Sequence, residues 1–308
     1  MKPSISPLTL LAASLVLVAL SPPFSARAAG EEFGQLNVRR EHVAWPSPET
    51  IVRDLHSPNA EVRFKALLSV GVPETLARRP IYNSATPATV VGSEVVTPEQ
   101  IGLRYAALGS DETQQAIVVA QVVGTYAYAA VATPKQNAWE RIAVFSCWCK
   151  YDPETVVDTF VSLNRAPDPM RSGEVQRYEL VLRASGGGTG IYNQHEVHFR
   201  FFRSEMKAVM SFVSRVQSST TGNPPPWHLT IERRWFYPSL PVYLPDGGSG
   251  YVAVLVESRG NTALPPTVYF TIRELQDLYL KGITCRTFQW NQKLFQYDPV
   301  AVPNACAA

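Results

Sequence analysis

Four cysteines raise the first question of chemistry. Cys147 and Cys149 flank Trp148 in the segment "FSCWC", and Cys285 and Cys306 follow far along the chain. Thiols in this pattern suggest a redox pair, a metal site or disulfide bonds. A thiol oxidoreductase places two residues between its cysteines, whereas one intervenes here. A structural zinc site needs four ligands at suitable spacing, and none of the five histidines lies close to these cysteines in sequence. Residues 139–148 read as a strand, on which positions two apart face the same side. A direct Cys147–Cys149 bond would hold Cα atoms about 6.5–7 Å apart, at the edge of disulfide geometry. The expectation is that each bonds to a distant partner, Cys285 or Cys306. In the chain-entropy account, bridges closing loops this long contribute roughly 3–5 kcal/mol each.

Other motifs are weaker. "HEVH" places His195 and His198 three apart around Glu196. A zinc protease helix spaces its histidines four apart, so that both share a face. On a strand, a spacing of three puts them on opposite faces, and both are expected at solvent-exposed positions. "SGGGTG" (185–190) lies between strand-like stretches and reads as a hairpin turn. A phosphate cradle instead needs a following helix N-terminus. No serine lies in a Gly-x-Ser-x-Gly elbow. Carboxylates for glycoside hydrolysis exist in Asp152, Glu154, Asp158 and Asp168, but nothing in their spacing pairs them across a cleft. The aromatics Trp227, Trp235, Phe236, Tyr237 and Tyr243 sit among six prolines in residues 224–245. Such a stiffened segment is a candidate binding surface for protein or glycan; otherwise, the same rings cap a β core.

The elements that would position these groups begin after residue 28. Lys2 precedes an apolar run from Leu8 to Leu20, which ends at Pro22 and Pro23 before small residues at 26–28. This is the layout of a secretory signal peptide. Thirteen helical residues rise about 20 Å, short of the roughly 30 Å hydrocarbon core. No later stretch is apolar enough to span a bilayer, so no transmembrane segment is expected after cleavage. Cleavage removes Lys2 and Arg27 and leaves 26 basic residues against 26 acidic ones. A formally neutral chain has no electrostatic reason to bind nucleic acid.

Two helix starts follow, at Ser47-Pro48-Glu49 and Ser57-Pro58-Asn59. Each offers a serine cap with proline at the first helical position. Val62, Ala66 and Val70 recur every four residues, and Gly71 and Pro73 form a stop. Leu55, Ser57, Pro58, Asn59, Val62, Arg63, Ala66, Leu67 and Gly71 resemble a HEAT repeat, an antiparallel helix pair, over residues 47–72. That resemblance implies a helical hairpin that buries its face against neighbours. "VRFKAL" (62–67) and "LRYAAL" (103–108) match at a 41-residue offset, but residues 101–108 alternate as a strand does. The segment from Gly30 to Arg40 reads as polar and loose.

From residue 97 the period is two. Strands are expected at 101–108, 115–123, 125–133, 139–148, 175–185, 194–203, 228–236, 251–258, 267–272, 283–290 and 293–297. Residues 204–217 are expected to form a strand after a tight turn, and 271–282 a helix. "ALGSDETQQAIVV" resembles the FG-GAP or VCBS type of secreted β module. That type holds calcium with several acids, whereas this loop has only Asp111 and Glu112; no cofactor or metal is expected.

The sequence therefore indicates an α+β, mostly β chain: a signal peptide (1–28), a helical HEAT-like segment (29–96), and an antiparallel β domain (97–308), sandwich or meander. The function expected is non-catalytic binding of a protein or glycan, in the periplasm or outside the cell. The alternative is a secreted hydrolase acting on a cell-envelope polymer. Peptide mapping of the exported protein under non-reducing conditions should find no free thiol and should link Cys147 and Cys149 to Cys285 and Cys306.

Overall fold

The structure is a computed structural model. It describes residues 36–82, 90–122, 126–148, 160–168, 176–188, 191–219, 227–238, 242–243, 249–250, 252–259, 269–270 and 284–300. The described residues open with strand β1 (Leu36–Trp45), helices α1 (Pro48–Leu55), α2 (Ala60–Val70) and α3 (Glu74–Ala77), and a hairpin of β2 (Arg78–Tyr82) with β3 (Val90–Val95). Next come β4 (Gln100–Ala106), β5 (Gln115–Val122), β6 (Tyr126–Lys135) and β7 (Ala138–Trp148), then β8 (Val161–Pro167), β9 (Gln176–Gly188), β10 (Ile191–Phe202), β11 (Glu205–Ser219) and β12 (Trp227–Pro238). Short strands β13 (Val242–Tyr243) and β14 (Ser249–Gly250) precede β15 (Val252–Arg259), β16 (Tyr269–Phe270), β17 (Thr284–Asn291) and β18 (Gln296–Pro299).

Two antiparallel sheets dominate. One runs β1-β7-β6-β5-β4, and the other β18-β17-β15-β12-β11-β10-β9-β8, with β16 beside β12. They stack face to face over a core in which Ile117, Val119, Ala129 and Phe145 meet Leu180, Leu182, Val197 and Phe199. The Phe145 and Phe199 rings lie 4.8 Å apart across this interface. The opposite face of the five-stranded sheet is covered by the helices. Ile51, Leu55, Leu67 and Val70 pack on Val118, Ala120, Ala130 and Val144. Both faces of β5 are thus buried, which explains its unbroken apolar run.

Local chemistry accounts for the helix ends. The Ser47 side chain accepts from the Thr50 N–H, and Pro48 takes the first helical position of α1. The second cap differs from expectation. It is Asn59, whose Oδ1 accepts from the Glu61 and Val62 N–H groups, while Ser57 Oγ accepts from Asn59 N. Either side chain can cap, and Asn59 is the one within reach of two orphan amides. Gly71 ends α2 at φ 97°.

The expected loose segment is also different. Residues 36–45 form β1, which pairs with β7 from Leu36↔Cys147 to Trp45↔Trp139. Its side chains are mostly solvated, so its sequence carries little hydrophobic signal. Residues 101–106, open to two readings, are strand. The expected signal peptide and the helix at 271–282 lie outside the described residues. Among the described residues no helix is long and apolar enough to cross a membrane.

The larger sheet curls on itself. β10 and β17 are four places apart in strand order, which in a flat sheet is about 19 Å. Yet the Arg200 guanidinium of β10 lies 5.7 Å from the Trp290 ring of β17, and Phe202 stacks on Phe295 at 3.8 Å. The face turned away from the smaller sheet is thereby folded into a second interior.

Gly71 tests the fit of the helices to the sheet. A Cβ there would stand 2.6 Å from a Val144 methyl, on a backbone already at positive φ. Gly71→Ala should cost about 1–3 kcal/mol, measured as a lowered urea midpoint with the slope unchanged.

Candidate functional site: a buried charge ladder beneath a polar cleft

β10 alternates two kinds of residue. Val197 and Phe199 face the smaller sheet, while Glu196, His198 and Arg200 face the curled interior. β9 repeats the pattern, with Leu180 and Leu182 on one side and Glu179 and Arg183 on the other. Register matches Glu196 with Arg183 and His198 with Val181, so like-facing side chains from both strands form one row.

His198 is the centre of that row and is fully buried. Its Nδ1 lies 2.9 Å from Glu179 Oε2, and its Nε2 lies 2.9 Å from Glu196 Oε1. A carboxylate only accepts, so both ring nitrogens must donate, and the ring is an imidazolium. The row continues both ways. Arg183 donates to Glu196 Oε2 at 2.6 Å and to Ser162 Oγ at 2.8 Å. Arg200 donates to Glu179 Oε1 at 2.9 Å and to the Pro167 carbonyl at 3.0 Å. Five groups alternate in sign: Arg183, Glu196, His198, Glu179, Arg200.

Aromatic side chains from distant strands seal the inner end. Trp235 Nε1 donates to the Tyr237 hydroxyl at 2.8 Å, and the Tyr237 and Tyr297 hydroxyls are 3.4 Å apart. Both tyrosine hydroxyls lie close enough to Glu179 to feel its charge. Their pKa values are raised, first by burial and then by the neighbouring Glu179 charge against the opposing pull of Arg200. The Trp235 ring centroid lies 5.9 Å from that of His198.

The electrostatics follow from this cage. Burial works against every charge in the row. For Glu179, burial is outweighed by Arg200 and His198, and its pKa falls to about 2. For Glu196, Arg183 and His198 likewise bring it to about 2. For His198, burial is overcome by its hydrogen bonds to Glu179 and Glu196, and its pKa is raised.

The outer end of the row opens into a cleft of about 350 Å³, lined by Asn164, Arg183, Gln194 and Glu196 and, at its far wall, by Ser214, Arg215 and residues 232–236. The far wall is a fork. β11 and β12 pair from Arg215↔Glu232 to Ser219↔Trp227, and no register continues past Arg215 among the described residues. Arg233 fills the split: it donates to the Val213 carbonyl at 3.0 Å and to Glu257 at 2.6 Å.

The residues singled out from sequence are distributed differently. Trp235, Phe236 and Tyr237 are buried at 3 %, 1 % and 3 % exposure. They are core residues and form no surface platform; the curl of the sheet turns them inward. The side chains of Trp227 and Tyr243 lie outside the described residues. Cys147 is buried between Leu36 and Ala127 in register. No described cysteine is free, and Cys147 and Cys285 are both disulfide-bonded; Cys149 and Cys306 lie outside the described residues. Asp168 is buried 3.9 Å from Arg177 and beside Ser110, while Asp152, Glu154 and Asp158 lie outside the described residues. His198, expected at the surface, is instead fully buried, as is Glu179 beside it. Among the described residues no cluster of His, Cys, Asp and Glu suits a metal ion.

Comparison with known proteins adds no relative: no family model matches the chain, and neither curated proteins nor solved structures give a match.

The ladder predicts a stability optimum. The raised His198 pKa contributes stability that is complete below its ordinary 6.5 and lost as pH rises through the folded value. The lowered Glu179 and Glu196 values contribute above their ordinary 4.5 and fail as pH falls towards 2. Thermal melts should therefore show the ladder's full contribution between pH 4.5 and 6.5. His198→Ala leaves two buried carboxylates facing each other and should cost about 3–5 kcal/mol, measured by denaturant titration within that window.

Proposed function

We propose that this chain is an exported, non-catalytic binding protein, working in the periplasm or outside the cell, whose ligand of protein or glycan kind enters the polar cleft. The observation that carries this reading is the engagement of both oxygens of Glu196. One oxygen accepts from His198 and the other from Arg183, and the carboxyl is held near a pKa of about 2. A general acid must carry a proton near working pH, and a carboxylate with a pKa of about 2 is a weak general base there. Glu232, the other carboxylate of the cleft wall, accepts two hydrogen bonds from Arg234 on its Oε1, at 2.8 and 3.1 Å. The paired carboxyls of a polymer hydrolase are poorly served by groups so committed.

The same arrangement suits recognition. A row of charges fixed by its neighbours cannot reorganise when a ligand arrives, so little ordering cost is added on binding. The volume lies at the lower end of the roughly 300–1,000 Å³ of small-ligand sites. Trp235 and Phe236 back the cleft and stiffen it, and binding rests on polar groups. The proposed disulfides of Cys147 and Cys149 with Cys285 and Cys306 would add a covalent tie between the two sheets.

An array of envelope glycans and peptides, incubated with the mature protein and then read by mass spectrometry, separates the two readings. Saturable retention of an unaltered ligand is expected. Cleavage of an arrayed polymer by wild-type protein would overturn the proposal in favour of the hydrolase.

A further inference from the structure

The polar groups of the cleft divide into those with partners in the protein and those with none among the described residues. Arg183, Arg233 and Arg234 are committed to Glu196, Glu257 and Glu232. Gln194 holds Ser185 and Ser214. Arg215 and Asn164 are what remain. Arg215 is exposed and stands directly across from Glu232 in register, yet the ion pair of Glu232 is with Arg234, through its Oε1. Arg215 makes no ion pair among the described residues, so it is the unbalanced charge of the cleft. Asn164, half-buried on the opposite side, keeps a carboxamide without a hydrogen bond among the described residues.

A guanidinium awaiting an anion and a carboxamide offering both a donor and an acceptor specify complementary features in one ligand. Building on the binding reading above, we infer that the cleft recognises a sugar acid, with its carboxylate on Arg215 and a ring hydroxyl on Asn164. The planar guanidinium meets a carboxylate through two parallel hydrogen bonds. The hydroxyl can serve the amide as donor, acceptor or both. The cleft has room for one small ligand, in keeping with its 350 Å³.

An acidic peptide fits less well. Extended peptides gain affinity by adding a strand to an open sheet edge. β10 is paired on both sides, and the fork between β11 and β12 is already bridged by Arg233. Recognition there must be by side chains alone.

The test is calorimetric titration of the mature full chain with D-galacturonate and D-glucuronate, their neutral parents galactose and glucose, and a blocked triglutamate peptide. At least one uronate is expected to bind about tenfold or more tightly than its neutral parent, and more weakly as salt is raised. Arg215→Ala, which removes no side-chain hydrogen bond or ion pair within the described residues, should keep the wild-type melting temperature and lose about tenfold or more in uronate affinity. Asn164→Ala should lose a smaller factor, for both the uronate and any neutral sugar that binds. Equal binding of uronate and neutral parent, or an Arg215→Ala variant that binds as wild type, overturns the sugar-acid assignment while leaving a binding protein. Preference for the peptide, or no uronate binding at all, overturns it too. Retention on the array decides separately whether the protein binds any ligand.

Discussion

An imidazolium fixed between two carboxylates in a buried interior is the constraint on which the larger sheet depends. Charges of one sign cannot be buried alone, because desolvation costs several kcal/mol per ion. Glu179 and Glu196 can enter the interior only with His198 between them and with Arg200 and Arg183 beyond. Each group is tolerable because of the next, so the row enters the fold as a unit. Its residues come from adjacent strands β9 and β10, whose register sets their spacing. The cover comes from β12 and β18, which reach the row only because the sheet curls.

This arrangement links the two ends of the site. The inner end is closed by Trp235, Tyr237 and Tyr297 and admits no ligand. The outer end is open and displays Arg183 and Glu196 at the cleft floor. What a ligand meets is therefore held in place by contacts it never touches. A buried row of charges is weak support for stability in itself, since apolar residues of equal volume often do as well. Its value lies in orientation: a carboxylate with both oxygens engaged cannot swing, and the neighbouring arginine is pinned with it.

Much of the scaffold is legible in the sequence for local reasons. Ser47 before Pro48, Gly71 after Val70, and the Val- and Ala-rich runs of β5 and β6 each encode their structure within a few residues. The ladder is not local. Glu196, His198 and Arg200 alternate with Val197 and Phe199, and such a strand normally puts its polar side in water. Only the distant Trp235, Tyr237 and Tyr297 reverse that, and their separation from β10 leaves no periodic trace. The same blindness works in the other direction on the aromatic segment, where proline and ring content suggested display and the curl brought burial. β1 escaped notice because a strand at the edge of a sheet can be polar almost throughout. The choice between Ser57 and Asn59 as cap turned on a shift of two residues, which sequence leaves open.

The pairing of β1 with β7 has a temporal side. Leu36 finds its partner at Cys147, more than a hundred positions later, and the helices that follow β1 bury their apolar faces on strands that also come later. A chain emerging from its N-terminus therefore presents Ile51, Leu55, Leu67 and Val70 before any surface exists to receive them. Contacts so distant along the chain make for slow closure, and an interval of exposed apolar helix is a hazard for aggregation. The helices are made before the strands that receive them and settle only once those strands are in place.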